Sequence, residues 1–74
     1  MAERLDATGL KCPLPVLRAR KAIRALDPGS ELLVLATDPA AVDDFRAFCE
    51  AASHLFVNAA EDGEVFRITI RKGG

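Results

Sequence analysis

The fold of this chain is decided by Glu31-Leu-Leu-Val-Leu-Ala-Thr37, which contains the longest apolar run of the sequence, residues 32–36. A run of this length fits an interior β-strand better than an edge strand. Turn signals bracket it, with Asp27-Pro28-Gly29-Ser30 before it and Asp38-Pro39 after it. We therefore expect residues 31–37 to lie in the middle of a β-sheet.

A helix is predicted on the N-terminal side of this strand, over residues 16–26. It ends before Asp27-Pro28, because the residue that precedes a proline is biased away from helical geometry. At about 100° per residue, the apolar side chains share one arc and the basic ones share the opposite arc. The apolar arc contains Val16, Ala19, Ala22, Ile23 and Leu26, and the basic arc contains Arg18, Arg20, Lys21 and Arg24.

A second helix is predicted on the C-terminal side. We expect Asp38 to cap it and Pro39 to take its first position, where no backbone N–H is missed. Asp43, Arg46 and Glu50 fall on its polar side. Its apolar arc consists of Ala41, Val42, Phe45, Phe48, Cys49 and Ala52.

Three further strands complete the pattern, over residues 3–7, 54–61 and 64–72. Asp62-Gly63 joins the last two as a two-residue type I′ turn signal. The order is therefore β-α-β-α-β-β. Right-handed crossovers place both helices on one face of the sheet, which predicts a two-layer α+β sandwich. Residues 1–74 form a single domain, with the other sheet face partly open to solvent.

Length and composition exclude several classes of protein. A chain of 74 residues buries only about 60% of the surface that its unfolded form exposes, so we expect no deep active-site cavity. A net charge of −1 does not favour non-specific nucleic-acid binding. The N-terminus lacks the apolar region of a secretory signal, and no apolar run has the length of a membrane span. We expect a cytoplasmic protein with reduced thiols.

Asp6-Ala-Thr-Gly-Leu-Lys-Cys-Pro-Leu-Pro15 is the most informative stretch for function. Pro13 and Pro15 fit the first turn of a helix and present Cys12 at its N-cap. There the helix dipole, together with Lys11, favours the thiolate and lowers the pKa of the thiol. Gly9 allows a backbone turn that other residues resist. The alternative is that Cys12 is a small apolar cap residue, although cysteine is a poor N-cap.

The residue types around Cys12 exclude several kinds of thiol chemistry. Position 15 is proline, so there is no Cys-x-x-Cys motif for dithiol exchange. Two cysteines and one histidine are too few for a confident zinc site, and the chemistry needs neither metal nor organic cofactor. What fits is a lone activated thiol that accepts a group from one partner and passes it to another.

Asp6-x-x-Gly9-x-x-Cys12-Pro13-x-Pro15, followed by a basic helix, resembles the signature of the TusA/SirA-like sulfur-carrier family. The resemblance covers essentially the whole chain. It implies a mixed four-stranded sheet and a persulfide on Cys12. The implied partners are a sulfur donor (a cysteine desulfurase or rhodanese-like protein) and an acceptor of the DsrE/TusBCD-like kind. The carrier is expected to be monomeric when free.

Relatives of this family serve in tRNA thiolation, molybdenum-cofactor sulfuration or sulfur oxidation, and the motif does not distinguish these branches. One departure concerns the end of the second helix. Many relatives carry Gly-His there, whereas this chain has Ala52-Ser53-His54. We therefore expect an altered helix cap that leaves the site untouched.

Four residues of the first helix are candidates for partner docking. Leu14 and Leu17 lie off the apolar arc and close to Cys12, where Arg18 and Lys21 add a cationic rim. The alternative for the two cations is an ordinary solvated helix face.

Cys49 lies on the apolar arc of the second helix, which predicts a buried structural thiol. Arg4, Arg67 and Arg71 make the open sheet face mildly basic. No aromatic platform stands among them, so we do not expect direct RNA contact. Asp6 fits either a local cap of backbone N–H groups or a simple strand end.

Two other functions stay open on sequence alone. The first is a non-catalytic interaction module in which Cys12 is a redox-sensitive contact. The second rests on Gly73-Gly74, since ubiquitin-like sulfur carriers use a terminal diglycine as a thiocarboxylate. Those proteins begin with a β-hairpin, whereas this chain begins strand-helix.

Overall fold

A computed structural model describes residues 2–73 of the chain. The strands and helices follow the predicted order: β1 (Ala2–Ala7), α1 (Leu14–Arg24), β2 (Glu31–Ala36), α2 (Ala41–Ala52), β3 (Leu55–Asp62) and β4 (Val65–Arg71). Helix α1 begins and ends two residues earlier than predicted. Within residues 2–73, no helix has the length and apolar character needed to cross a membrane.

The four strands form one mixed sheet in the order β1-β2-β4-β3. Strand β1 pairs parallel to β2, and β4 pairs antiparallel to both β2 and β3. The interior position of β2 is therefore confirmed. The connection through α2 leaves one strand position empty between β2 and β3. Strand β4 then occupies that position.

Both helices pack on one sheet face and enclose a single apolar core, which confirms the two-layer α+β sandwich. Among the buried side chains are Ile23 of α1, Phe45 of α2, Val34 of β2 and Ile68 of β4. Every buried side chain of the described residues is apolar. The opposite sheet face is open, with Arg67 of β4 exposed to solvent.

Strand β2 alternates in burial, although its sequence is continuously apolar. Leu32, Val34 and Ala36 are buried beneath the helices, whereas Leu33 and Leu35 are half-buried on the open face. Register places the cationic residues Arg4 and Arg67 beside these two leucines, respectively. Long basic side chains can cover apolar surface with their methylene stems while keeping the charge in water.

The β3–β4 turn and the exposure of Ala52 differ from the prediction. The β3–β4 turn consists of Gly63 and Glu64, because Asp62 still pairs with Val65. Gly63 has φ +64°, whereas type I′ geometry needs positive φ at both turn residues. Ala52 was predicted on the apolar arc of α2, but it is exposed; it lies in the last turn, next to the cap.

The C-terminal cap of α2 is Ser53, at the position where the sequence departs from Gly-His. Ser53 adopts the left-handed conformation at φ 61°, and its cap is closed by the N–H of His54, which donates to the carbonyl of Cys49 over 2.9 Å. Glycine is the usual residue at such a position.

The chain returns to the end of α1 after β4. The ammonium of Lys72 donates to the carbonyl of Leu26 over 2.5 Å and to that of Arg24 over 3.3 Å. A cation suits this end of a helix, where carbonyls lack partners and the dipole is negative.

Candidate functional site: the Cys12 loop

Cys12 is exposed in the loop between β1 and α1. It was predicted at the N-cap, but Pro13 occupies that position and Cys12 precedes it. A turn closes ahead of the helix, since the Leu14 N–H donates to the carbonyl of Lys11 over 2.9 Å. Pro15 is buried at the second helical position, where its missing N–H leaves no bond unmade. The Cys12–Pro13 peptide bond is cis.

The N-terminal half of the loop is held by Asp6 and Gly9. Asp6 accepts hydrogen bonds from the Thr8 N–H (3.0 Å) and hydroxyl (2.7 Å). These bonds hold the pKa of Asp6 below its usual value. Gly9 has φ +78°, and its N–H donates to Oγ1 of Thr37 over 2.9 Å. Asp6 thus caps local hydrogen-bond donors. The bond between Gly9 and Thr37 ties the loop to the end of β2.

Asp38 also holds the loop, and this corrects its predicted role as the cap of α2. The N-cap of α2 is Ala40, which makes no side-chain cap bond. The Asp38 carboxylate instead accepts the Cys12 N–H over 2.5 Å and the Ala40 N–H over 2.9 Å. Hydrogen bonds from these two N–H groups lower the pKa of Asp38. One carboxylate therefore fixes the backbone of Cys12 to the start of the second helix.

Cys12 lines two shallow clefts, one on each side. The first, about 340 Å³, is formed by the loop residues 9–12 and by residues 37–39. The second, about 350 Å³, lies between the two helices and is lined by Cys12, Pro13, Val16, Asp44, Ala47 and Phe48. A partner can therefore reach the thiol from either side.

The electrostatics of Cys12 differ from the prediction. Hydrogen bonding to Asp44 is the main influence that raises the pKa of the Cys12 thiol, and partial desolvation and the charges of Asp44 and Asp38 add to it. The prediction of a lowered pKa for Cys12 assumed that the residue is the N-cap and that Lys11 is the one charge nearby. The carboxylates of Asp38, in the loop before α2, and Asp44, in α2, act in the opposite direction and raise the pKa.

The four predicted docking residues share one exposed surface next to Cys12. Leu14 and Leu17 are 47% and 49% exposed, and Arg18 and Lys21 are also exposed. Arg18 and Lys21 rim a groove of about 370 Å³ whose floor includes Leu5 of β1. We call Leu14, Leu17, Arg18 and Lys21 the docking surface.

Cys49 and Gly73 line neither of the two clefts beside Cys12. Cys49 is buried, as predicted, and burial raises the pKa of its thiol. Nδ1 of His54 accepts the Gly73 N–H over 3.0 Å, so Gly73 packs against the end of α2; Gly74 lies outside the described residues. Residues 2–73 contain no group of three or more potential metal ligands.

Asp44 and Thr37 are site residues that the sequence did not single out. Both are distant in sequence from the loop that they contact. Thr37 accepts a hydrogen bond from Gly9, and Asp44 lines a cleft with Cys12. Asp44 stands just off the apolar arc of α2. This position becomes informative only once the helix is known to pack with that flank towards Cys12.

Comparisons with known proteins agree with this fold. The family model described as "Sulfurtransferase TusA" matches residues 3–72. Two proteins from Neisseria meningitidis, of serogroups A and B, are each 49% identical over 70 residues, covering 95% of this chain and 95% of the relative. Each bears the name "Putative sulfur carrier protein".

A solved structure shows the same likeness. The SirA-like protein from Desulfitobacterium hafniense superposes with a TM-score of 0.84 at 29% identity, covering 100% of both chains. The match to the family model spans both helices, the Cys12 loop and all four strands except the first residue of β1. The chain therefore belongs to the TusA sulfurtransferase family of sulfur carriers.

Proposed function

We propose that Cys12 accepts sulfane sulfur as a persulfide and relays it to an acceptor protein. The observation that carries this proposal is an exposed thiol that lines two clefts and adjoins the docking surface. A relay must present one atom to two different proteins, and a surface loop on a small domain does so. Membership of the TusA family supports the same chemistry.

The transfer is a displacement at sulfur. Sγ of Cys12 attacks the terminal sulfur of a donor cysteine persulfide, so that a new S–S bond forms at Cys12. The donor's own S–S bond breaks, and its electron pair stays on the donor cysteine sulfur. The proton lost by Cys12 ends on that departing thiolate. The products are a Cys12 persulfide and a free donor thiol, with no net oxidation.

The docking surface indicates the kind of partner. Apolar side chains rimmed by cations fit a partner whose contact is apolar at its centre and acidic at its edge. We assign the donor to the cysteine desulfurases or rhodanese-like proteins and the acceptor to DsrE/TusBCD-like proteins. The sulfur then serves tRNA thiolation, cofactor sulfuration or sulfur oxidation. Free thiols persist in the reducing cytoplasm, where we place this relay.

Mass spectrometry after incubation with a cysteine desulfurase and L-cysteine tests the proposal. We expect one added sulfur on Cys12, none on Cys12→Ser, and normal loading of Cys49→Ala, the matched control. Sulfur that persists in Cys12→Ser and disappears when Gly73 and Gly74 are deleted would instead show a thiocarboxylate. A wild-type protein that takes no sulfur, with partner binding unchanged in Cys12→Ser, would establish the interaction module.

A further inference from the structure

One side of α2 forms a wall of the cleft that lies between the two helices. Asp44, Ala47 and Phe48 line this wall, since residues three and four positions apart share a helix face. Val16 of α1 lines the facing wall, and Cys12 lines the same cleft. We call this space of about 350 Å³ the interhelical cleft. A group that enters it therefore comes next to the thiol.

Phe48 makes this wall rigid. Its ring packs edge-on against the buried ring of Phe45, with the two centroids 6.4 Å apart, and the ring of His54 lies 5.5 Å away. Side chains that interlock in this way have few alternative positions. The interhelical cleft is therefore preformed, which favours the binding of a side chain in it.

Asp44 is the charged residue among those that line the interhelical cleft, and it is half-buried. The cation next to it in α2, Arg46, lies over the ring of Phe56, 4.3 Å from the centroid. Within residues 2–73, the ion pair that the structure shows is Arg71–Glu31, on the open sheet face. A carboxylate that is partly removed from water is stabilised by a cation, and the described chain supplies none to Asp44.

We propose that the interhelical cleft receives an arginine or lysine side chain of the acceptor protein. This inference rests on the proposed function, which places a partner over Cys12. Long basic side chains pack their methylene stems on apolar surface and keep their charge at a polar end. Here the stem lies against Val16 and Phe48, and the charged end meets Asp44. The apolar walls and the single carboxylate are complementary to such a side chain in both shape and charge.

The charges on the two sides of α1 assign this cleft to the acceptor. Arg18 and Lys21 rim the groove on the β1 side of α1, which fits a donor with an acidic edge. The interhelical cleft lies on the α2 side and carries the carboxylate of Asp44. Because like charges repel at short range, each partner is disfavoured at the site of the other. The donor therefore occupies the docking surface, and the acceptor occupies the cleft.

A cation beside Asp44 has a use in the unloading step. The acceptor thiolate attacks the terminal sulfur of the Cys12 persulfide, so that a new S–S bond forms on the acceptor. The S–S bond at Cys12 breaks, and its electron pair stays on Sγ. The proton lost by the acceptor thiol ends on this departing sulfur. The cation offsets the negative charge of Asp44 while the Cys12 thiolate forms, and a stabilised thiolate leaves faster.

Calorimetric titration of the unloaded carrier with a DsrE/TusBCD-like acceptor, at low salt, tests the proposal. Asp44→Asn keeps the size of the side chain but removes its charge, and we expect a Kd about tenfold above wild type. Ala47→Leu fills the cleft without a change in charge, and we expect a rise of similar size. Asp43→Asn and Ala51→Leu are the matched controls, because both residues are exposed on α2 but do not line the cleft. Both controls should bind like wild type.

Salt separates the effect of charge from that of shape. The difference in Kd between Asp44→Asn and wild type should shrink as salt rises, whereas that of Ala47→Leu should persist. A cysteine desulfurase should bind Asp44→Asn and wild type equally. Circular dichroism melts verify that each variant is folded. Equal acceptor Kd values for Asp44→Asn and wild type, no acceptor binding by wild type, or an equal loss of desulfurase affinity in Asp44→Asn would overturn the proposal.

These results separate this inference from the proposed function, which is tested by the sulfur loading of Cys12. If wild type loads sulfur but Asp44→Asn binds the acceptor as wild type does, the relay stands and the cleft assignment is wrong. If the Kd rises as expected but wild type takes no sulfur from the desulfurase, the contact at the cleft stands and the relay is wrong.

Discussion

Leu14 and Leu17 provide the sharpest test of the docking surface, through the double variant Leu14→Ala/Leu17→Ala. Both side chains are about half exposed, at 47% and 49%, so a partner can bury that half and no more. Alanine is the best helix former, so α1 keeps its helical propensity. The double variant therefore removes contact area for a partner without destabilising the fold.

The expected loss of affinity follows from this exposure. Leucine to alanine removes three carbons, worth about 0.8 kcal/mol each when they become fully buried. Half of that value is about 1.2 kcal/mol per leucine at most, and an imperfect fit reduces it to about 1 kcal/mol. Two leucines then contribute about 2 kcal/mol, which corresponds to a roughly thirtyfold rise in Kd.

Titration of a cysteine desulfurase by calorimetry measures this Kd directly. Leu55→Ala is the matched control, because Leu55 is 53% exposed but lies on β3, at the sheet edge opposite β1. We expect its Kd to match wild type. A double variant that binds as tightly as wild type, or an equal loss in Leu55→Ala, would refute the placement of the donor on α1.

Four further changes test other parts of the structure. Reversal of Arg18 and Lys21 to glutamate should slow loading by the desulfurase about tenfold or more at low salt, and the gap to wild type should narrow as salt rises; an unchanged rate would remove these cations from the docking surface. Ser53→Gly should raise the Tm by about 3–6 °C, since it removes about 1–2 kcal/mol of left-handed strain but adds unfolded-state entropy; Ser53→Ala, which keeps the strain, should not. Lys72→Met should lower stability by about 1.5 kcal/mol in urea denaturation, because two carbonyls at the end of α1 lose a charged donor; Lys21→Met is its exposed control. Because folding lowers the pKa of Asp38, its stabilisation is complete above the unfolded pKa of about 3.9 and disappears as pH falls through the folded value. The Tm difference between wild type and Asp38→Asn should therefore shrink below about pH 4, and a difference independent of pH would contradict this.

The element order was predictable because each element has a local cause. Residues 32–36 fit an interior strand better than an edge strand, and apart from Ala52 the two predicted apolar arcs consist of residues that the structure buries wholly or in part. The strand order was not predictable. It depends on β4 entering the gap between β2 and β3, which is set by packing and pairing between distant segments.

The same distinction applies to the site. Cys12 could be singled out as a candidate from a motif whose parts are adjacent in sequence. The direction of its pKa shift could not be predicted in this way, because Asp38 and Asp44 are 26 and 32 residues away in sequence. Local reasoning counted the helix dipole and Lys11 and so predicted a lowered pKa. The carboxylates that raise the pKa of Cys12 are brought near it only by the tertiary fold.

The size of the domain constrains the relay that we propose. A standard interface covers about 800 Å² of each partner, about one sixth of the 4655 Å² that this domain exposes. Donor and acceptor must both enclose Cys12, so their footprints overlap and the two cannot bind together. The carrier must therefore leave the donor before it meets the acceptor, which requires moderate affinity for each. A docking surface of two half-exposed leucines with a cationic rim fits this requirement, because it binds through modest apolar contact and gains association rate from charge.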